Sequence, residues 1–223
     1  MADHDPLLGP SMPPASGGKP KKLIVFLHGF GADGNDLIGL APYFADVVPD
    51  AEFLSPHAPF PCQMAGFGRQ WFNVYEQNPE GRLAAIRVAA EIINGFLDGE
   101  LKSRGLADAD LALIGFSQGT MMSLFVAPRR AKPIAGVVGY SGRLESPELV
   151  AKEMRSKPPI LLVHGDRDDR LPVELLDRAT ETLQAAGVSV EHHVRPGLGH
   201  SIDEDGIRLG RDFLTRAFAR AIV

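Results

Sequence analysis

Residues 111–126 read LALIGFSQGTMMSLFV, and this stretch decides the fold. Its first part, LALIGF, is an apolar run of the length of a buried strand, whereas TMMSLFV has the pattern of a helix. Between them lies Gly115-Phe116-Ser117-Gln118-Gly119, a G-x-S-x-G sequence. Glycines two residues either side of a serine permit the close packing of a strained strand-to-helix turn. We therefore predict a strand, a sharp turn that exposes Ser117, and a helix.

Similar apolar runs recur on both sides of this unit and alternate with longer helical patterns. That alternation predicts an α/β fold in which a mostly parallel central sheet has helices on both faces. The predicted strands are KLIVFLH (22–28), AEFLS (51–55), LALIGF (111–116), IAGVVGYS (134–141), PILLVHG (159–165) and VSVEHHV (188–194).

Two helices are predicted most clearly, because their apolar residues recur at spacings of three and four. The first spans 82–104 and the second closes the chain. Their predicted core-facing residues are Leu83, Ile86, Ala90, Ile93, Leu97 and Leu101 in the first, and Ile207, Phe213, Leu214, Ala217, Phe218 and Ile222 in the second.

Within the chain of 223 residues, we predict that residues 21–223 form one domain, large enough to carry a catalytic site. Residues 1–20 are rich in Pro, Gly and Ser, so we expect a disordered N-terminal tail. Residues 56–80 interrupt the alternation with several prolines and aromatic residues. A long loop inside a compact domain is more often functional than not.

Composition excludes several classes of protein. The net charge of −5 and the absence of a basic stripe argue against a nucleic-acid partner. No apolar run approaches the length of about 20 residues that a membrane span needs. The single cysteine, Cys62, rules out an internal disulfide, and the first residues lack the pattern of a secretory signal. We expect a cytoplasmic protein without stable membrane insertion.

A nucleophilic serine needs a base and an acid, which follow it in the chain in serine hydrolases with this elbow. His200 lies in the glycine turn GLGH after the last predicted strand, and is the candidate base. Three carboxylates follow the strand PILLVHG, at the sheet edge where α/β sites gather. Spacing alone leaves Asp166, Asp168 and Asp169 open as the acid.

The sequence HGFGADG (28–34) contains G-x-G-x-x-G and invites a dinucleotide-binding interpretation. Such a site also needs an acidic residue at the end of the next strand, and AEFLS is followed by Pro56-His57 instead. The alternative, which we prefer, is an oxyanion loop in which the backbone amide of Phe30 pairs with that of Gln118.

With HGFG, GFSQG, HGDRD and GLGH in this order, the chain resembles the carboxylesterase/acyl-protein thioesterase (phospholipase/carboxylesterase) family of α/β-hydrolases. RQWF (69–72) and YSGRL (140–144) also look like family segments. The resemblance runs from Lys22 to the C-terminus and implies an α/β-hydrolase fold without a large cap domain. It singles out Asp168, the fourth residue after the histidine of HGDRD, as the acid. The chain departs from the family pattern at Asn73, Asp169-Arg170 and Thr120.

The resemblance also implies a carboxylesterase acting on short- to medium-chain acyl esters, without metal or organic cofactor. Trp71 and Phe72 are expected either to line the acyl pocket or to pack on the core. The alternatives are an acyl-protein thioesterase or lysophospholipase acting on longer chains, and a non-catalytic hydrolase-fold binding protein. The expected partner is a small acyl ester, and a homodimer stays open.

Overall fold

A computed structural model describes residues 7–62 and 67–220, with only the backbone of Arg220. In this part of the chain the main sheet has seven strands, and a separate two-stranded hairpin lies outside it. The strands of the main sheet are β1 (Ser11–Met12), β2 (Lys22–Leu27), β3 (Ala51–Leu54), β6 (Leu111–Phe116), β7 (Gly136–Tyr140), β8 (Ile160–Gly165) and β9 (Val190–Arg195), and those of the hairpin are β4 (Phe60–Pro61) and β5 (Arg69–Gln70).

The strand order is β1-β3-β2-β6-β7-β8-β9, and every pairing is parallel except that of β1 with β3. At the carboxyl ends Leu27 pairs with Gly115, and Phe116 pairs with Tyr140. The loops that follow β2, β6, β7 and β8 therefore meet at one edge of the sheet. The predicted mostly parallel sheet is confirmed.

Successive residues of each strand face opposite sides of the sheet, because the side-chain period of a strand is two. In β2, Leu23, Val25 and Leu27 join one apolar layer, and Ile24 and Phe26 join the other. Helices α2 (Pro79–Arg104), α3 (Gln118–Val126) and α5 (Glu174–Ala185) contribute to the first layer, and α1 (Gly34–Ile38) and α6 (Glu204–Arg220) to the second; the short α4 (Val150–Glu153) adds Val150 to the first.

Helix α2 shows why the predicted stripe forms a helix of this length. The side chain of Asn78 accepts hydrogen bonds from the amides of Glu80 and Gly81 at the N-terminus, and Gly105 ends the helix with a φ of 70°. The helix begins three residues before the predicted start, at Pro79. The core-facing residues are buried except Leu83, which is half-buried.

The C-terminal helix also packs through its predicted stripe. Phe213, Leu214, Ala217 and Phe218 are buried in the second layer, and Ile207 lies partly buried against it. Ile222, the last residue of the predicted stripe, lies outside the described residues.

The predicted disordered tail needs correction for residues 7–20. Ser11 pairs with Leu54 and Met12 with Phe53, and the amide of Ser55 donates to the carbonyl of Pro10 at 3.0 Å. A segment too polar to build its own core is ordered here by backbone hydrogen bonds along the edge of an existing sheet. Residues 1–6 lie outside the described part of the chain.

The loop between β3 and α2 folds back as the hairpin of β4 and β5. The Arg69 guanidinium donates to the carbonyls of Ala58 and Pro59, the latter at 2.9 Å. Cys62 is buried and free. Within the described residues no inserted domain covers the carboxyl edge of the sheet, and no helix is long and apolar enough to cross a membrane.

Candidate active site

Ser117 lies at the turn between β6 and α3 with a φ of 53° and ψ of −114°. This left-handed φ is costly for a residue with a Cβ and is held by the surrounding packing. The Ser117 amide donates to the carbonyl of Tyr140 at 2.9 Å. A Cβ on Gly119 would collide with the carbonyl of Leu27 on the adjacent strand, so only glycine permits this approach. The turn predicted from G-x-S-x-G is present, and it directs the serine hydroxyl out of the sheet.

The turn after β9 brings His200 to this hydroxyl. Its Nε2 lies 3.0 Å from Ser117 Oγ, and its Nδ1 lies 2.7 Å from Asp168 Oδ2. Both distances are within hydrogen-bond range. With Nδ1–H donating to the carboxylate, Nε2 is free to accept the serine proton. The three groups have the connectivity of a Ser-His-Asp triad.

Asp168 is held in place by more than His200. Its side chain is fully buried, and Oδ1 accepts hydrogen bonds from the amides of Arg170 and Leu171, both at 2.9 Å. Burial alone would raise the pKa of this carboxyl. The hydrogen bonds from His200 and from the amides of Leu171 and Arg170 outweigh burial, so the pKa of Asp168 lies below its ordinary value of 3.8. Asp168 is therefore ionised at neutral pH.

The other two candidate acids are placed differently. Asp166 is exposed, and its Oδ1 accepts a hydrogen bond of 2.6 Å from the amide of Gly197, in the turn that carries His200. Asp169 is also exposed. The structure thus sets Asp168 against the imidazole and leaves the other two carboxylates on the surface.

A second histidine contacts the same carboxylate, and the sequence analysis missed it. His164, at the end of β8, is buried with Nε2 at 2.9 Å from the carbonyl of Leu171 and 3.2 Å from Asp168 Oδ2. One Nε2–H shared between these two oxygens ties the loop carrying Asp168 to the strand. The signal in the sequence was its place four residues before Asp168.

The backbone amides of Phe30 and Gln118 are the predicted oxyanion donors. Neither amide donates a hydrogen bond within the part of the chain that the structure describes. Gln118 is the first residue of α3, where helix amides lack internal partners. The loop of Phe30 passes close to the nucleophile, since a Cβ on Gly29 would lie 3.4 Å from Ser117 Cβ. The pair can stabilise negative charge beside Ser117.

The His28 ring holds the loop of Phe30 in place through two hydrogen bonds. Its Nδ1 lies 2.8 Å from the carbonyl of Gly29, and its Nε2 lies 3.0 Å from the amide of Ala58. Nδ1 must donate and Nε2 must accept, so the ring is the neutral Nδ1–H tautomer. Burial lowers the pKa of His28 below 6.5 and favours the same neutral form.

The burial of His28 predicts a loss of stability in mild acid. A group whose pKa is lower in the folded state stabilises the folded protein fully at pH values above its unfolded pKa, here 6.5. This contribution to the free energy of unfolding is lost as the pH falls towards the folded pKa. As the pH falls from about 7.5 to about 5.5, the free energy of unfolding should therefore decrease through this group. Urea unfolding of wild type and His28→Gln at both pH values should show a smaller pH-dependent loss in the variant. In wild type, NMR should find the His28 ring less than half protonated at pH 6.5; a ring mostly protonated there contradicts the prediction.

Of the two places expected for Trp71 and Phe72, the structure shows the core, which corrects their assignment to the acyl pocket. Both side chains are buried, and Trp71 Nε1 donates to the carbonyl of His28 at 2.9 Å. The Gln118 side chain joins them, because Oε1 accepts from the Trp71 amide at 2.9 Å and Nε2 donates to the Phe72 carbonyl at 2.7 Å. These two residues fasten the 56–80 loop to the two oxyanion segments. Val74 and Tyr75, slightly further along, reach the cleft instead.

Replacement of Trp71 by Phe should therefore lower stability more than it changes substrate preference. It leaves the buried carbonyl of His28 without its donor and removes part of a fully buried ring, at a cost of about 2–4 kcal/mol. Urea unfolding measures the loss, and a series of esters of increasing acyl length measures preference. An unchanged stability with a shifted chain-length optimum would instead place Trp71 in the acyl pocket.

An open cleft of about 500 Å³ lies beside Ser117 and His200. Several of the residues that line this cleft were not assigned to the site from the sequence. Met121 lines the cleft, although the residue is buried. The further unassigned lining residues are Val74, Tyr75, Arg82, Phe116, Arg143, Arg170 and Leu171.

Among the described residues, no cluster of three or more His, Cys, Asp or Glu side chains is arranged to hold a metal ion. The glycines of HGFGADG are required by the protein's own packing and backbone conformation. A Cβ on Gly34 would collide with the carbonyl of Ser55, and Gly31 has a φ of 81°. The loop packs against the nucleophile elbow, as the oxyanion interpretation requires.

Three comparisons place the chain among known proteins. The family model described as Phospholipase/Carboxylesterase matches residues 14–217. Acyl-protein thioesterase 1 of Neurospora crassa is 25% identical over 96% of this chain and 92% of its own, and esterase YpfH of Escherichia coli is 28% identical over 87% and 82%. The crystal structure of esterase PE8 is 38% identical with a TM-score of 0.90, covering 95% of this chain and 99% of its own.

Proposed function

Because this chain belongs to the phospholipase/carboxylesterase family of α/β-hydrolases and is a carboxylic ester hydrolase, we propose that it cleaves short- to medium-chain acyl esters through an acyl-enzyme on Ser117. The observation that carries the proposal is the connected set Ser117–His200–Asp168, with contacts of 3.0 and 2.7 Å, at the wall of an open cleft.

In the proposed mechanism, His200 Nε2 takes the proton of Ser117 as the hydroxyl oxygen attacks the acyl carbonyl. Asp168 keeps the imidazole in the Nδ1–H tautomer and stabilises its charged form. The amides of Phe30 and Gln118 stabilise the oxyanion. The protonated imidazole gives its proton to the leaving alcohol, and water activated by the same histidine then hydrolyses the acyl-enzyme.

The main alternative is hydrolysis of longer chains by an acyl-protein thioesterase or lysophospholipase. An acyl-protein thioesterase is among the relatives, but so are proteins named carboxylesterase or esterase. The cleft volume of about 500 Å³ holds a small ligand and favours short acyl groups. Rates on p-nitrophenyl esters of increasing acyl length, beside matched acyl thioesters, decide between them. Faster turnover of long-chain thioesters would overturn the preference for simple esters.

A non-catalytic binding protein is the alternative from another class. It would have no need for an aligned serine, histidine and buried aspartate. A fluorophosphonate probe reacts with an activated serine, so wild-type protein should be labelled in its folded state. Folded protein that stays unlabelled and hydrolyses none of the esters would overturn the proposed function.

A further inference from the structure

The side chains that line the cleft carry a net positive charge. Three arginines, Arg82, Arg143 and Arg170, line the space that Ser117 and His200 face, and no acidic residue is among its lining residues in the described part of the chain. The whole chain carries a net charge of −5, so this local positive charge runs against the overall balance. A simple neutral ester does not require it.

One carboxylate behind the cleft compensates only one of these charges. Glu145 is bound by Arg82 through two hydrogen bonds of 2.8 and 3.1 Å, and Arg82 also donates to the carbonyl of Val74 at 2.8 Å. Arg143 donates to the same Glu145 through Nε alone, at 2.7 Å. Two arginines thus share one negative charge, and the terminal nitrogens of Arg143 have no protein acceptor among the described residues.

Arg170 adds an uncompensated charge at the same cleft. Its side chain is exposed and forms no ion pair or hydrogen bond with any described residue. Only its backbone amide is engaged, by Asp168 Oδ1. The Asp168 carboxylate is itself buried against His200 and does not line the cleft. Arg170 therefore offers a full set of donors to a ligand beside the nucleophile.

We infer that the cleft selects acyl esters that carry a carboxylate on the acyl side, that is, half-esters of dicarboxylic acids, which Arg143 and Arg170 bind. Guanidinium donors match the geometry of a carboxylate. A carboxylate on the acyl side stays in the cleft in both the ester and the acyl-enzyme, so the arginines act on both steps. This inference rests on the proposed function and names its substrate class.

The test compares two substrates of nearly equal size that differ in charge. Monomethyl glutarate carries the carboxylate, and methyl 5-amino-5-oxopentanoate replaces it by a neutral amide. Release of methanol from each gives kcat/KM, and the measured quantity is the ratio of the anionic to the neutral value. In wild type this ratio should exceed one, and it should fall with added salt because the screening length shortens from about 10 Å at about 0.1 M to about 3 Å at about 1 M.

Four variants separate binding by Arg170 from a general effect of charge. Arg170→Gln should lower the ratio about fivefold, the range of an accessible ion pair, and Arg170→Lys should restore part of it. Arg143→Gln together with Arg170→Gln should lower it further. Arg167→Gln is the matched control, since Arg167 is exposed nearby but does not line the cleft; its ratio should stay within twofold of wild type.

The outcomes distinguish the two proposals. Hydrolysis of both esters with a wild-type ratio of one or less, or with equal ratios in wild type and Arg170→Gln, overturns the inference and leaves the proposed function standing. An equal fall in Arg167→Gln and Arg170→Gln also overturns it, because the effect would then be one of net charge. Hydrolysis of neither ester, with no fluorophosphonate labelling, overturns the proposed function and the inference with it.

Discussion

Ser117→Ala should lower kcat on a p-nitrophenyl ester by about a millionfold, to the level left by the oxyanion donors and substrate binding. The substitution removes the attacking oxygen and leaves the rest of the site intact. It also preserves the backbone, because alanine and serine both carry a Cβ at the φ of 53° and the strain does not change. Labelling by a fluorophosphonate should disappear.

The fold of this variant should be retained. The one side-chain hydrogen bond lost is that of 3.0 Å to His200 Nε2, so the free energy of unfolding should change by about 1 kcal/mol or less. Circular dichroism and urea unfolding supply this control. Labelling that persists in a folded Ser117→Ala protein would mean that another serine is the nucleophile.

Asp168→Asn should lower kcat by about 10⁴-fold. Asn Oδ1 can still accept the amides of Arg170 and Leu171, but the other position becomes an NH₂ donor that faces His200 Nδ1. The imidazole must then carry its proton on Nε2, and a protonated Nε2 cannot accept the proton of Ser117. The variant tests the orientation of the base with little change in shape.

The neighbouring aspartates provide matched controls. Asp169→Asn alters an exposed carboxylate, and Asp166→Asn keeps an oxygen acceptor for the amide of Gly197. Both variants should keep kcat within a few-fold of wild type. A loss of about 10⁴ in either, with a mild effect at Asp168, would move the acid role to that residue.

Local sequence pattern was sufficient for most of the architecture. Buried strands appear as apolar runs, and core-facing helices as stripes spaced by three and four, because both periods follow from backbone geometry. The boundaries moved by a few residues, as in α2, where Asn78 and Pro79 set the start. The N-terminal segment was predicted wrongly over residues 7–20. Its order comes from backbone pairing with β3, which composition does not record.

The positions of Ser117 and His200 could also be predicted, since each lies in a short glycine-containing turn after a strand. The choice among Asp166, Asp168 and Asp169 could not be made from spacing. All three follow β8 within four residues, and only the path of the loop directs one inward and two outward. The family pattern favoured Asp168, and the geometry agrees with it.

Tertiary structure alone decided which side chains surround the serine. Trp71 and Phe72 are aromatic residues of the kind that lines an apolar pocket. Hydrogen bonds instead join the Trp71 indole to the carbonyl of His28 and the backbone of both residues to the Gln118 side chain, and both residues are buried. Arg143 and Arg170 lie on separate loops, and no sequence period relates them. They meet because parallel strands bring the loops at their carboxyl ends to one edge of the sheet. Short-range order is encoded in neighbouring residues, whereas the charge of the cleft depends on contacts between distant ones.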